Sequence, residues 1–150
     1  MIYIIIIVAI MILDRVVKMY IAGSMEVRES IPVIGDFFSI TYVQNRGAAF
    51  SILEDHTTLL IIVPAIVITI AILFIVIRHK SYKRIFMVAL SLICGGGLGN
   101  VTDRAAYGYV IDMLDFGSFP VFNVADIAVT VGCGLLLLYM IAFDGKKTQE

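Results

Sequence analysis

Four apolar stretches alternate with polar segments along the chain. The first opens at Ile2 and is unbroken only to Leu13, the second runs apolar throughout from Thr57 to Ile77, the third starts near Ile85 and reaches Gly99, and the fourth runs from about Val124 to Phe143. A membrane-spanning helix needs ~20 residues, at ~1.5 Å per residue, to cross ~30 Å of hydrocarbon. The second and fourth stretches meet that length unaided. The first and third meet it only if the helix continues through Asp14, Arg15 and Lys18 to about Ile21, and through Asn100, Asp103 and Arg104. The pattern therefore predicts spans at about 2–21, 57–77, 85–104 and 124–143 within a single domain of residues 1–150. Between them, Ile31 to Gln44 is rich in β-branched and aromatic residues and punctuated by Pro32 and Gly35, which predicts short strands or a hairpin. The segment Tyr107 to Asp112 is strand-like as well. The fold class is a mainly α membrane protein of four transmembrane helices, with a small β-containing region built from loops 22–56 and 105–121.

Composition supports a membrane protein: 61% of residues are hydrophobic and the mean hydropathy is +1.02, where soluble domains lie nearer one half apolar. A formal net charge of -1 leaves no broad basic face for nucleic acid. The N-terminus lacks a basic leader, and Asp14, Arg15 and Lys18 stand where a small-residue cleavage site would be, so it reads as a retained helix. Basic residues are densest in Arg78–Arg84 and at Lys146 and Lys147, which places both in the cytoplasm, the N-terminus with them, and the two long loops outside.

That topology puts the polar residues of three helices at one depth. Asp14 and Lys18, then Asn100, Asp103 and Arg104, then Asn123 and Asp126 all fall at the outer ends of their spans, while the second span carries none. Charged groups near lipid must face one another or a wet cavity, so this convergence marks a site. Each motif also has a plain structural reading. Asp14 and Lys18, four apart, can pair on one helix face. Asn123 and Asp126 resemble a capping box. Asp103 and Arg104 can pair as an internal clamp. Gly95, Gly96, Gly97 and Gly99 make a thin helix face for close packing. Cys94 and Cys133 lie in apolar runs and suggest no disulfide, His56 and His79 read as solvated, and no metal-binding His spacing occurs. The serines lack a membrane-embedded base, so a serine mechanism has little support. Chemistry rests with the acids: two close carboxylates cannot both ionise easily, and one then serves as acid while the other activates water. Asp126 is one candidate; the residues alone leave Asp103, Asp112 and Asp115 open as its partner.

The set Asp14-x-x-x-Lys18, Asn45-x-Gly47-Ala48-Ala49-Phe50-Ser51, Gly99-Asn100-x-x-Asp103-Arg104, Val110-x-Asp112 and Phe122-Asn123-x-Ala125-Asp126 resembles the lipoprotein signal peptidases (signal peptidase II), bacterial membrane aspartic proteases. The resemblance runs from about residue 14 to residue 132. It implies that Asp112 and Asp126 form the catalytic dyad. It implies that Asn45, Asn100, Arg104 and Asn123 line the site and hold substrate or dyad, that Asp14, Lys18 and Asp103 are structural, and that Asp115 is a bystander. Arg15 departs from the Gln of many relatives, and Arg46 is variable. The implied activity removes the signal peptide from prolipoproteins whose cysteine bears a diacylglyceryl group, cutting just before that cysteine at the outer side of the bacterial cytoplasmic membrane. No metal or cofactor is implied. The partners are the lipidated substrate and membrane lipid, with no obligate protein partner. Two other readings compete. A small transporter or channel subunit would need polar groups at several depths, and a scaffold held by polar contacts would not need two unpaired acids beside asparagine-rich turns.

Overall fold

The computed structural model describes residues 1–47 and 57–143. Ala48 to Ser51, His56, Gly145, Lys146 and Lys147 lie outside the described residues. The element order is α1 (Ile2–Ser24), β1 (Ser30–Ile34), β2 (Phe38–Asn45), α2 (Thr57–Arg78), α3 (Arg84–Tyr107), β3 (Val110–Asp115) and α4 (Val124–Phe143). The chain is mainly helical with one small sheet. Helices α2, α3 and α4 are each long and apolar enough to cross a membrane. Helix α1 is 23 residues long but carries Asp14, Arg15 and Lys18 in its second half.

The bundle is arranged inside out relative to a soluble protein. Ile70, Ile77 and Leu137 are 61%, 73% and 60% exposed, whereas Lys18 and Asn123 are fully buried. Apolar side chains facing outward and charges facing inward are what a hydrocarbon solvent selects. Helix α3 packs against α1, α2 and α4. Its glycines make this possible. A Cβ on Gly96 would sit 2.3 Å from the Ala125 carbonyl oxygen of α4, and one on Gly95 would sit 3.0 Å from the Ile7 carbonyl oxygen of α1. Tyr3, Ile7, Ile68, Ile75, Met87 and Cys94 form the apolar core of the bundle. A second cluster of Ile21, Tyr42, Ile111 and Met113 fixes the end of α1 to the sheet.

The sheet has the antiparallel order β1-β2-β3. Gly35, with φ 46°, turns β1 into β2. The third strand starts later than its sequence suggests. The chain is still helical at Tyr107, α3 ends where Gly108 adopts φ 78°, and pairing begins only at Val110. The Gly108 N–H closes the helix on the Arg104 carbonyl at 2.9 Å, a left-handed glycine cap that outweighs the strand preference of the tyrosines. In the resulting register Asn45 opposes Val110 and Val43 opposes Asp112. The sheet thus delivers Asp112 and Asn45 from neighbouring strands to the polar ends of the helices.

Gly96→Ala should lower Tm by ~2–8 °C, because the added methyl meets backbone, which cannot rotate away. Gly134→Ala, where nothing lies within 4 Å of the added carbon, should leave Tm unchanged or slightly raised. Thermal unfolding of both in the same detergent checks the contrast.

Candidate active site

Lys18 lies at the centre of the polar layer. Its Nζ is 2.8 Å from Asp14 Oδ2, 2.8 Å from Asp103 Oδ2 and 3.0 Å from Asn100 Oδ1. The Asp103 approach is an ion-pair contact without hydrogen-bond alignment. Asp103 Oδ1 also meets Arg15 Nη1 at 3.2 Å, so two acids and two bases leave the cluster neutral. Asp14 spends its other oxygen on the Ala125 N–H of α4, at 2.9 Å. One buried lysine therefore ties α1 to α3, and its acid partner ties α1 to α4. Removing a single member of such a buried set strands the others and costs ~3–5 kcal/mol.

Above this cluster lie two acids and three asparagines. Asn45 Nδ2 donates to Asp112 Oδ2 at 2.9 Å, and Asn123 Nδ2 donates to Asp112 Oδ1 at 2.6 Å. Asn100 Nδ2 donates to Asp126 Oδ1 at 2.8 Å, and the Asn123 backbone N–H donates to Asp126 Oδ2 at 3.1 Å. Each of the four carboxylate oxygens thus has one N–H donor. Asn123 Oδ1 accepts the Asp126 N–H at 2.9 Å, completing a capping box at the start of α4. The capping and site readings of Asn123 and Asp126 therefore hold together: the cap is what aims the Asn123 amide at Asp112.

Both acids open on one cavity of about 470 Å³. Asn45, Asn100, Arg104, Asp112 and Asp126 line it together with apolar Phe119 and Phe122 ahead of α4 and Ile127 and Val131 on α4. Asp112 is nearly wholly buried. Burial pushes its carboxyl from the ordinary 3.8 up to about 7, the neighbouring charge of Asp126 adds to the rise, and the Asn45 and Asn123 hydrogen bonds oppose it. A carboxylic acid titrating near neutrality beside a second carboxylate can hold a proton for an acid step while its partner accepts one.

The structure brings together Asp112, Asp126, Asn45, Asn100, Arg104 and Asn123 around this cavity, with Asp14, Lys18 and Asp103 in the layer beneath. Asp115 stands apart, accepting from Thr41 Oγ1 at 2.7 Å and from the Gly117 N–H at 2.8 Å within the sheet and its turn. The expected Arg104–Asp103 clamp is not formed. Consecutive helical residues point about 100° apart, so Asp103 turns to Lys18 and Arg15 while Arg104 faces the cavity and donates to the Gly47 carbonyl at 2.6 Å. Sequence reasoning missed Arg15, whose guanidinium bonds Asp103 and the Tyr107 hydroxyl and lies 5.0 Å from the Tyr107 ring centre. The available signal was the second acid in the layer, Asp103, which one lysine could not neutralise alone. Among the described residues no three His, Cys, Asp or Glu side chains gather as metal donors.

A family model for signal peptidase (SPase) II matches residues 6–142. The chain belongs to the signal peptidase II family. It is similar to the lipoprotein signal peptidase of Halothermothrix orenii, at 47% identity over 93% of this chain and 94% of that one. It is also similar to that of Clostridium tetani, at 42% identity over 98% and 97%. A bacterial membrane enzyme solved by the in meso method at 2.3 Å superposes with a TM-score of 0.89 and 34% identity, over 99% of this chain and 92% of that one. A second, solved at 1.9 Å, gives 0.83 and 35% over 94% and 93%. Membership makes the chain a membrane peptidase, and the apolar helices agree with it.

The raised Asp112 has a consequence for the folded peptidase. Between pH 4 and 7 the folded state binds more protons at this carboxyl than the unfolded state does, so stability falls as pH rises through that window and levels off above it. Asp112→Asn should flatten the slope, removing a dependence of up to a few kcal/mol. Chemical unfolding of both proteins at pH 5 and pH 7.5 measures it; equal slopes would refute the assignment.

Proposed function

We propose that this peptidase removes the signal peptide from diacylglyceryl-modified prolipoproteins, cutting on the N-terminal side of the lipidated cysteine, with Asp112 and Asp126 as an aspartic dyad. The observation that carries the reading is one cavity lined both by the two acids and by apolar side chains of α4 and the segment before it. A lipidated precursor has the same division: a polar scissile amide next to an apolar signal helix and two acyl chains. The four helices would span the bacterial cytoplasmic membrane with both termini inside. Helix α1 crosses with its charges turned inward onto α3, and the sheet lies at the extracytoplasmic surface. Substrate enters sideways from the bilayer, and its scissile bond reaches the level where water meets the acids.

In this mechanism Asp112 keeps the proton, as its raised titration favours. Asp126, held by the Asn100 amide and the Asn123 N–H, takes a proton from water as the water oxygen attacks the amide carbon. Asp112 hydrogen-bonds the carbonyl oxygen and gives it the proton as the tetrahedral species forms. The proton on Asp126 then passes to the departing nitrogen of the lipidated cysteine, a hydroxyl of the tetrahedral species returns its proton to Asp112, and the C–N bond breaks. Arg104, whose buried Nε has no hydrogen-bond partner among the described residues, and Asn45 hold the substrate backbone and the acid in line. No metal or cofactor is used. The layer of polar residues stops at the outer ends of three helices, which disfavours a transport path.

Asp112→Asn and Asp126→Asn should each reduce cleavage of a lipidated prolipoprotein by ~10³-fold or more, with Tm showing that both remain folded. Excess chelator should leave the wild-type rate unchanged. The rate should also show a bell-shaped pH profile. Either folded variant cleaving at near the wild-type rate would eliminate the dyad.

A further inference from the structure

Lys18 is absent from the cavity lining and reaches it only through Asn100, whose Oδ1 it holds at 3.0 Å. A structural pair with Asp14 would account for its burial but not for its third contact. We propose that Lys18 is a positioning residue, which by holding the Oδ1 end of Asn100 fixes the end of that amide presented to Asp126. The proposal rests on the reading of Asp126 as one of the two working acids.

The two ends of an asparagine amide are alike in shape and opposite in chemistry, so each asparagine in the site must be told which way to point. For two of them a backbone N–H gives the instruction. Asn45 Oδ1 accepts from the Gly47 N–H at 3.0 Å, and Asn123 Oδ1 accepts from the Asp126 N–H at 2.9 Å. In both cases the oxygen is claimed and the NH2 group faces a carboxylate. Among the described residues no backbone N–H donates to Asn100 Oδ1. It accepts from Lys18 Nζ at 3.0 Å and from Asn123 Nδ2 at 3.1 Å. The second is the weaker hold, because the same Nδ2 lies closer to Asp112 Oδ1, at 2.6 Å. If the Asn100 amide flipped, its NH2 would press on an ammonium and on another amide NH2, and its oxygen would face Asp126 Oδ1. With Lys18 in place, the flip loses every contact at once. Without it, the longer Asn123 contact and the Asp126 carboxylate remain as the guides, and no cation holds the oxygen end.

The placement of the cluster fits this assignment. Asp14 and Asp103 approach Nζ at 2.8 Å each and leave the third donor of the ammonium for Asn100. Charge makes the guide unambiguous, since an ammonium donates in every direction and accepts in none. Lys18 thereby acts on Asp126 through one intervening side chain. Its loss should change the rate of the chemical step and not the affinity for substrate.

The test separates orientation from neutralisation. Lys18→Met strands two buried acids, so the informative variant is the triple Asp14→Asn/Lys18→Met/Asp103→Asn, which leaves the layer uncharged and keeps an Asn oxygen for the Ala125 N–H. With a lipidated precursor peptide as substrate, the triple variant should recover Tm yet lose ~10–100-fold in kcat, with KM within about twofold of wild type. Added to an Asn100→Ala background, the same three changes should cost less than about twofold further in kcat. Asp103→Asn alone, which keeps Lys18 against Asn100, should lower Tm and leave kcat within about twofold of wild type. A triple variant with wild-type kcat would overturn the proposal, as would a full further loss in the Asn100→Ala background. Should the triple variant not fold, the double Lys18→Met/Asp103→Asn, which leaves Asp14 as the one acid, takes its place: a kcat loss matching Asn100→Ala supports orientation by Lys18, and wild-type kcat overturns it. A failure of the dyad itself reads differently, as folded Asp112→Asn and Asp126→Asn variants that still cleave.

Discussion

A charge surrounded by hydrocarbon must be neutralised from within the protein, and the rest of this structure follows from how one lysine meets that condition. Lys18 is fully buried in a helix whose outer face is isoleucine, valine and methionine. Its three acceptors come from its own helix and from α3. That requirement sets the rotation and register of α1 against α3, because only one alignment brings Asp14, Asp103 and Asn100 to a single nitrogen. Asp14 then extends the constraint to α4 through the Ala125 N–H, next to Asp126. The acids at the cavity are thus placed by a network whose first obligation is electrostatic closure.

The two acids reach the cavity by different routes and meet different surroundings. Asp112 arrives on an extended strand, nearly closed off from solvent, and receives side-chain amides only. Asp126 sits in the first turn of α4 and receives a backbone N–H as well as an amide. Chemically identical side chains are made unequal by secondary structure. The proposed dyad would need that inequality, since two equivalent carboxyls would have no reason to divide one proton between them in a fixed sense.

Much of this was legible in the chain. The truncated apolar runs of α1 and α3 announced that both helices had to continue through charged residues, and the shared depth of Asp14, Lys18, Asn100, Asp103, Asn123 and Asp126 marked the polar layer that the structure gathers beside the cavity. The i, i+4 spacing was enough to pair Asp14 with Lys18. What stayed hidden depends on contacts between elements. Asp112, Asp115 and Asp103 are equally plausible partners for Asp126 until the register of β2 on β3 turns Asp112 inward and leaves Asp115 bound to Thr41. Arg15 resembles any cation that could snorkel to the membrane surface until Asp103 is seen to lack a second base. Tyr107 has a strand former's side chain but ends a helix, because the glycine after it caps α3. The direction in which an asparagine amide points leaves no trace in composition or spacing.

Gly99 shows how far an absent side chain can reach. A carbon added there would lie 2.7 Å from Asp14 Oδ2 and 3.5 Å from the Ala125 methyl. The hydrogen at position 99 is therefore the volume in which a carboxylate is kept. Filling it would evict the anion that both neutralises the buried lysine and holds the first turn of α4, so a position with no side chain to bond or to carry charge limits where the charged atoms beside it can stand. The geometry of the polar layer in this bundle is bounded by a vacancy as firmly as by its ionic contacts.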